Sequence, residues 1–164
     1  MPDDLLDAID VRILEILQKD GRLTNLDLAE RVGLSPSPCL RRLRRLEDDG
    51  YISGYGARVD RNKVGLGLTA FISVKVLKHG ETNLDQVRKA INSMPEIIAC
   101  YVMSGQHDLL LHVLTADLDE FRSFTLDKLL KKVPAIHEMN SSFVIETLKE
   151  NAILPIGKTP VRKS

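Results

Sequence analysis

Residues 35 to 47, Ser-Pro-Ser-Pro-Cys-Leu-Arg-Arg-Leu-Arg-Arg-Leu-Glu, bring a helix start, an apolar stripe and four arginines into one short segment. Ser35 is an expected N-cap. Pro36 falls at the first helical position, where a missing N–H costs nothing, and Pro38 is still within the first turn. At about 100° per residue, Cys39, Leu40, Leu43 and Leu46 gather on one side, while Ser37, Arg41, Arg44 and Arg45 point away and Arg42 lies on the flank. Arginine's planar fork binds two acceptors on guanine or grips a phosphate, so the chemistry on offer is recognition of nucleic acid. The chain as a whole is neutral, with 23 basic and 23 acidic residues, so the general basic footprint of many nucleic-acid binders is missing. Local charge overrules that average, because Arg31 to Arg45 carries arginines and no acid. Glu47, Asp48 and Asp49 follow at once and are expected to point off the DNA.

The elements before this segment give it a setting. Asp7 can cap a helix in which Ile9, Ile13, Ile16 and Leu17 recur at helical spacing, with Gly21 placed to end it. Thr24 starts a second helix, with Asp27 in its first turn and Leu28, Ala29 and Val32 on its buried side. Gly33-Leu34-Ser35 then turns into the arginine helix, which is the helix-turn-helix arrangement. In that arrangement the first residues of the second helix meet base edges. Ser37, Pro38 and Arg41 are the candidates there, Ser35 at the cap is a further DNA-binding candidate, Arg42, Arg44 and Arg45 are candidates for phosphates, and Arg44 can serve either role. Tyr51 to Val59 alternates weakly and suggests a short hairpin or wing, in which Arg58 is a further DNA-contacting candidate.

The rest of the chain changes period. Residues 61–67 read as a linker after an N-terminal domain at 1–60. Leu68 to Leu77 alternates as a half-buried strand, and Leu84, Val87, Ile91 and Met94 switch to helical spacing before Pro95. Ile97 to Ser104 and Leu109 to Thr115 are strands joined by the turn Gly105-Gln106-His107-Asp108. Asp117 with Glu120 marks another helix, with Leu118, Phe121, Leu129 and Leu130 among its apolar positions, and Ile136 to Leu148 is the last strand. The resulting fold is α+β: a helix-turn-helix domain and then a β-α-β-β-α-β, ferredoxin-like domain at 68–150, with residues 151–164 as a tail.

At 43 % hydrophobic and 28 % charged residues the composition is that of a soluble globular protein. No apolar run approaches the roughly 20 residues that span a bilayer, and the first ten residues lack the features of an export signal, so a cytoplasmic, nucleoid-associated protein is expected. Cys39 and Cys100 stand alone and are expected to be buried. His79, His107, His112 and His137 have no metal-ligand spacing, so no metal and no cofactor are expected. With no Walker loop, nucleophile elbow or dinucleotide turn, the chain is not expected to be an enzyme.

Three stretches, Leu-Gln-Lys-Asp-Gly-Arg-Leu-Thr-Asn from Leu17, Val-Gly-Leu-Ser-Pro-Ser-Pro-Cys-Leu-Arg-Arg-Leu-Arg-Arg-Leu-Glu from Val32 and Val-Met-Ser-Gly-Gln-His-Asp-Leu-Leu-Leu from Val102, fall in this order and at these distances. They resemble the leucine-responsive regulatory protein/asparagine regulator (Lrp/AsnC) family, and the resemblance runs from about Leu6 to Asn151. It implies a transcriptional regulator that binds double-stranded DNA and whose C-terminal "regulation of amino-acid metabolism" (RAM, ACT-like) domain dimerises, with octamers as the higher assembly. It also implies an amino-acid effector, leucine, methionine or another apolar one by family habit, held at a contact between dimers. Ser104, Gly105, Gln106, His107 and Asp108 would line that site, with Ser141 and Ser142 nearby. Glycine-exposed N–H groups could take the ligand's carboxylate and Asp108 its ammonium. Two rival readings remain at this point: an architectural nucleoid protein without an effector, and a metabolite-binding enzyme of ferredoxin-like fold.

Overall fold

A computed structural model describes residues 6–77, 81–150 and 153–156, and for 81–84 the backbone alone. His79 and the basic Lys158, Arg162 and Lys163 lie outside the described residues. The chain divides into two compact units, residues 1–58 with 149–164, and residues 59–148.

The first unit is three helices: α1 (Ala8–Lys19), α2 (Asn25–Val32) and α3 (Pro36–Asp48). Asp7 caps α1 by accepting from the backbone N–H of Ile9 and Asp10, and Asp10 returns the bond to the N–H of Asp7, a reciprocal box built from two aspartates. Thr24 caps α2, accepting from Asp27 N–H at 3.2 Å and donating to the Asp27 carboxylate at 2.6 Å. The α2–α3 turn needs a left-handed residue, which Gly33 supplies at φ 73°. Ile13, Leu14, Leu28, Ala29, Val32, Cys39 and Leu46 form the core, with Leu43 packed against it. Burial pushes the Cys39 thiol above its usual range, as befits a small core residue.

Two expectations in this unit change. Residues 53–60 contain no strand, so no hairpin forms. Gly54 and Gly56 give that segment no side chains for cross-strand pairing, and its anchor is instead Tyr55, whose hydroxyl donates to Glu47 at 2.8 Å. Burial and the Glu47 carboxylate push the Tyr55 phenol up to about 12, so it stays a donor at any physiological pH. Residues 153–156, read as tail, bind the first unit. Leu154 donates to Gln18 Oε1 at 2.6 Å and accepts from Gln18 Nε2 at 3.3 Å, and Ile156 packs on the helical core.

The second unit holds β1 (Leu68–Val76), α4 (Glu81–Asn92), β2 (Ile97–Val102), β3 (Leu109–Thr115), α5 (Leu118–Ser123), a π-helical stretch (Phe124–Leu129), α6 (Leu130–Lys132) and β4 (Ile136–Phe143). The strands form one antiparallel sheet in the order β2-β3-β1-β4, the ferredoxin-like arrangement. Ala70, Ile72, Val74, Leu109, Leu111 and Val113 alternate onto the face that shares a core with Val87, Ile91, Phe121, Phe124 and Leu129. Each Val, Leu, Ile or Phe among them contributes about 1.5–3 kcal/mol by leaving water.

The helix after Asp117 departs from regular spacing. The π-helical stretch adds a residue to the turn, so Phe121, Phe124, Thr125 and Leu129 face the core, while Leu118 and Leu130 are exposed rather than buried. Lys128 is thereby turned outward to pair with Glu96. Cys100 is exposed, not buried, because β2 is an edge strand.

Candidate DNA-recognition helix and ligand turn

Several contacts fix α3 against its neighbours. Leu34 N–H bonds Ala29 O at 2.9 Å, and Asn25 Nδ2 donates to Pro36 O at 2.9 Å, tying the start of α2 to the start of α3. Ser35 occupies the N-cap position with extended φ and ψ, but its hydroxyl makes no capping bond. The sequence explains this: Pro36 and Pro38 remove the N–H groups at the first and third helical positions, so little is left for the hydroxyl to cap.

A buried acid sets the tilt of the helix. Asp10 is 0 % exposed, and its carboxylate accepts from Arg42 at 2.9 Å and from Arg45 at a shorter contact, while Arg42 also reaches Asp7 at 2.6 Å. The hydrogen bonds that Arg42 donates to Asp10 and then Asp7 raise its guanidinium pKa above its ordinary value. Arg42 and Arg45, expected from sequence to meet phosphates, thus also hold α3 to the start of α1. The spacing Asp7-x-x-Asp10 was the signal for this clamp, beyond the capping role expected of Asp7.

Burial pushes the Asp7 carboxyl up, but the Asp10 N–H and Arg42 outweigh it and hold the group below the usual carboxylate range. The stabilisation is therefore complete above the unfolded value near 4 and fades as pH falls through the lower folded one. Asn caps as well as Asp but carries no charge. Asp7→Asn is accordingly expected to be less stable than the parent at pH 7, with the gap closing below about pH 4 in denaturant titrations; a gap constant from pH 7 to pH 3 would contradict the assignment.

Ser37, Arg41 and Arg44 remain exposed, and with Leu40 they line a shallow hollow of about 460 Å³ on the outer side of α3. Leu40, assigned to the core side by its angle, is half-buried at this rim. Asp48 and Asp49 line the same hollow, so they do not turn away from the cationic face but close its C-terminal end. The cationic surface spans the first three turns, with Ser37, Arg41 and Arg44 in one sector and the partly exposed Arg45 also in the lining. Arg58 lies outside it and donates to Gln18 O at 3.4 Å.

In the second unit the turn after β2 is tied down by its own aspartate. Asp108 N–H bonds Val74 O at 2.9 Å, and Asp108 Oδ2 accepts from Val76 N–H at 3.0 Å, where the β1–β4 register shifts. One oxygen of this carboxylate, expected from the resemblance to accept an ammonium, holds the turn to β1. Gly105, at φ 139°, occupies a conformation that other residues avoid. Ser104, Gln106 and His107 border a hollow of about 170 Å³ with Ser73, Met103, Leu109 and Leu110. His107 Nε2 lies 3.7 Å from Glu138 Oε1, beyond hydrogen-bond length. Ser142 and Ser141 pair with Phe71 and Ile72, whereas the turn is fastened at Val74 and Val76, so one chain does not bring the serines to it. Ser73, Met103, Leu110 and Glu138 are the neighbours that sequence reading missed, since only strand register reveals them.

A helix-turn-helix unit whose Arg41 and Arg44 have no acid partner among the described residues, joined to a ferredoxin-like unit with a small hollow at a β-turn, has the architecture of a ligand-binding transcriptional regulator. The comparisons make that specific. The "Winged helix-turn-helix DNA-binding" family matches residues 6–53, and the "Lrp/AsnC ligand binding domain" family matches residues 69–154. The chain belongs to the Lrp/AsnC family of transcriptional regulators. It is 39 % identical over 152 residues to the DNA-binding transcriptional activator DecR of Escherichia coli, covering 93 % of this chain and 99 % of that one. It is 36 % identical to the leucine-responsive regulatory protein of Klebsiella pneumoniae, covering 94 % of each. A solved transcriptional regulator of Neisseria meningitidis in complex with L-methionine superposes with a TM-score of 0.87 at 41 % identity, covering 92 % of this chain and 96 % of that one. None of the described helices is long and apolar enough to cross a membrane.

Proposed function

We propose that this protein is a cytoplasmic regulator of amino-acid metabolism genes that reads DNA with Ser35, Ser37, Pro38, Arg41 and Arg44 and is controlled by a small amino acid at the 104–107 turn. Arg58 adds a backbone contact. The observation that carries the reading is the pairing of a held α3, its Ser37, Arg41 and Arg44 free, with a hollow of about 170 Å³ beside Gly105. Met103, Leu109 and Leu110 favour an apolar side chain such as that of leucine or methionine, and Ser73, Ser104 and the backbone at Gly105 supply polar partners for the zwitterion. The protein works as a homodimer, and as an octamer in its higher assembly, with Ser141 and Ser142 reaching the ligand from a second protomer at the contact between dimers. Paired recognition helices then sit on half-sites one DNA turn, about 34 Å, or a multiple apart. The effector acts by preferring one assembly over another.

A thermal-denaturation screen with the twenty amino acids tests this. An effector present at about 100 times its dissociation constant stabilises the folded protein by about 2.7 kcal/mol, and one apolar amino acid is expected to stand out. Uniform absence of stabilisation at millimolar ligand overturns the effector reading and favours an architectural nucleoid protein.

A further inference from the structure

We infer that the DNA-binding unit carries a second, separate surface for the DNA backbone, built by Lys19, Arg22 and Arg58 around the hollow between the end of α1 and residues 54–58. The inference rests on the DNA-binding reading above and extends it to residues that α3 does not include. This hollow, about 780 Å³, is lined by residues 17–22 and 54–58, and all of them except Leu17 and Gln18 are exposed. Three cations from two chain segments meet there. Among the described residues no ion pair joins Lys19, Arg22 or Arg58 to an acid, whereas Arg42 and Arg45 of the same unit are both paired. Asp20 is the one acid in the lining, and its carboxylate accepts the Arg22 N–H at 3.1 Å. Lys19 and Arg58 have a local explanation at the negative end of α1, where Arg58 donates to Gln18 O at 3.4 Å, but the Arg22 side chain has no partner among the described residues.

The form of the hollow selects the anion. It is wide and open, and Gly21, Gly54 and Gly56 leave backbone bare along its floor, so it suits a polyanion lying across it better than a small molecule enclosed within it. It also adjoins the recognition helix. Tyr55 lines the hollow, contacts Gly21 and donates to Glu47 near the end of α3. Glu47, which holds Tyr55, and its neighbours Asp48 and Asp49 repel phosphates at the end of α3, so the contact with DNA is bipartite: bases and phosphates at the first three turns of α3, then flanking phosphates at Lys19, Arg22 and Arg58.

The test uses the intact protein and duplexes it has selected from a random pool, with Lys19→Ala/Arg22→Ala compared with the parent by anisotropy titration across salt. Each phosphate contact contributes about 0.9 to the slope of log affinity against log salt, so the double variant is expected to lower the slope by about 2. It should weaken selected and scrambled duplexes alike, and trimming the flanks of the duplex should abolish the difference. Lys19→Gln/Arg22→Gln should behave the same way, and circular dichroism checks that both variants are folded. An unchanged slope in folded variants overturns the inference, as does an effect confined to inorganic phosphate or free nucleotide. If the parent protein itself selects no DNA, the failure belongs to the DNA-binding reading.

Discussion

Replacing Arg42 and Arg45 together with alanine is expected to destabilise the first unit by about 3–5 kcal/mol, because it strands a fully buried carboxylate without a counter-charge. Asp10 keeps only the Asp7 N–H as a partner in that variant, and one backbone donor does not offset desolvation of an ion. For a unit of this size the loss lowers the unfolding midpoint by more than about 10 °C. The energetic asymmetry supplies its own control. Removing the acid as well, in Asp10→Ala/Arg42→Ala/Arg45→Ala, takes away the stranded charge and should recover part of the loss, since a buried ion pair is worth less than the penalty of breaking it from one side. Urea denaturation of the three proteins checks this. A double variant as stable as the parent, or a triple variant no better than the double, would show that Asp10 is not the pivot that holds α3.

This clamp also marks where sequence reading stops. The helix-turn-helix and the β-α-β-β-α-β order were legible because their signals are local: Thr24 and Asp117 cap, Gly33 turns, and residues 70, 72, 74 and 109, 111, 113 alternate. The burial of Leu129 was legible, but the exposure of Leu130 was not, since a π-helical insertion moves the core face by one residue and leaves no mark in a 3.6-residue pattern. Neither was the fate of the arginines. Helical angle correctly separates Ser37, Arg41 and Arg44 from Leu46, but it cannot say that Arg42 and Arg45 find acids more than thirty residues earlier. The 105–108 turn repeats the lesson: nothing local in the sequence says that Asp108 Oδ2 accepts from Val76 N–H and so belongs to the frame of the turn.

Arg41→Ala is expected to cost about 1–3 kcal/mol of binding to the preferred DNA sequence, roughly 5- to 150-fold in affinity. The reason is positional. Arg41 lies one turn after Ser37 on the exposed side, near the N-terminal end of α3 where such helices meet base edges, and it has no acid partner among the described residues, in contrast with Arg42 and Arg45. Its bidentate fork is therefore available to a guanine edge, and truncation removes discrimination along with affinity. Arg45→Ala differs in kind, because any loss of binding comes through the disturbed clamp. The direct measurement is a gel-shift titration of Arg41→Ala and the parent on a selected operator and on its scrambled counterpart at one fixed salt concentration. The account predicts a large loss on the operator and little change on the scrambled duplex; equal losses on both would contradict base reading by α3.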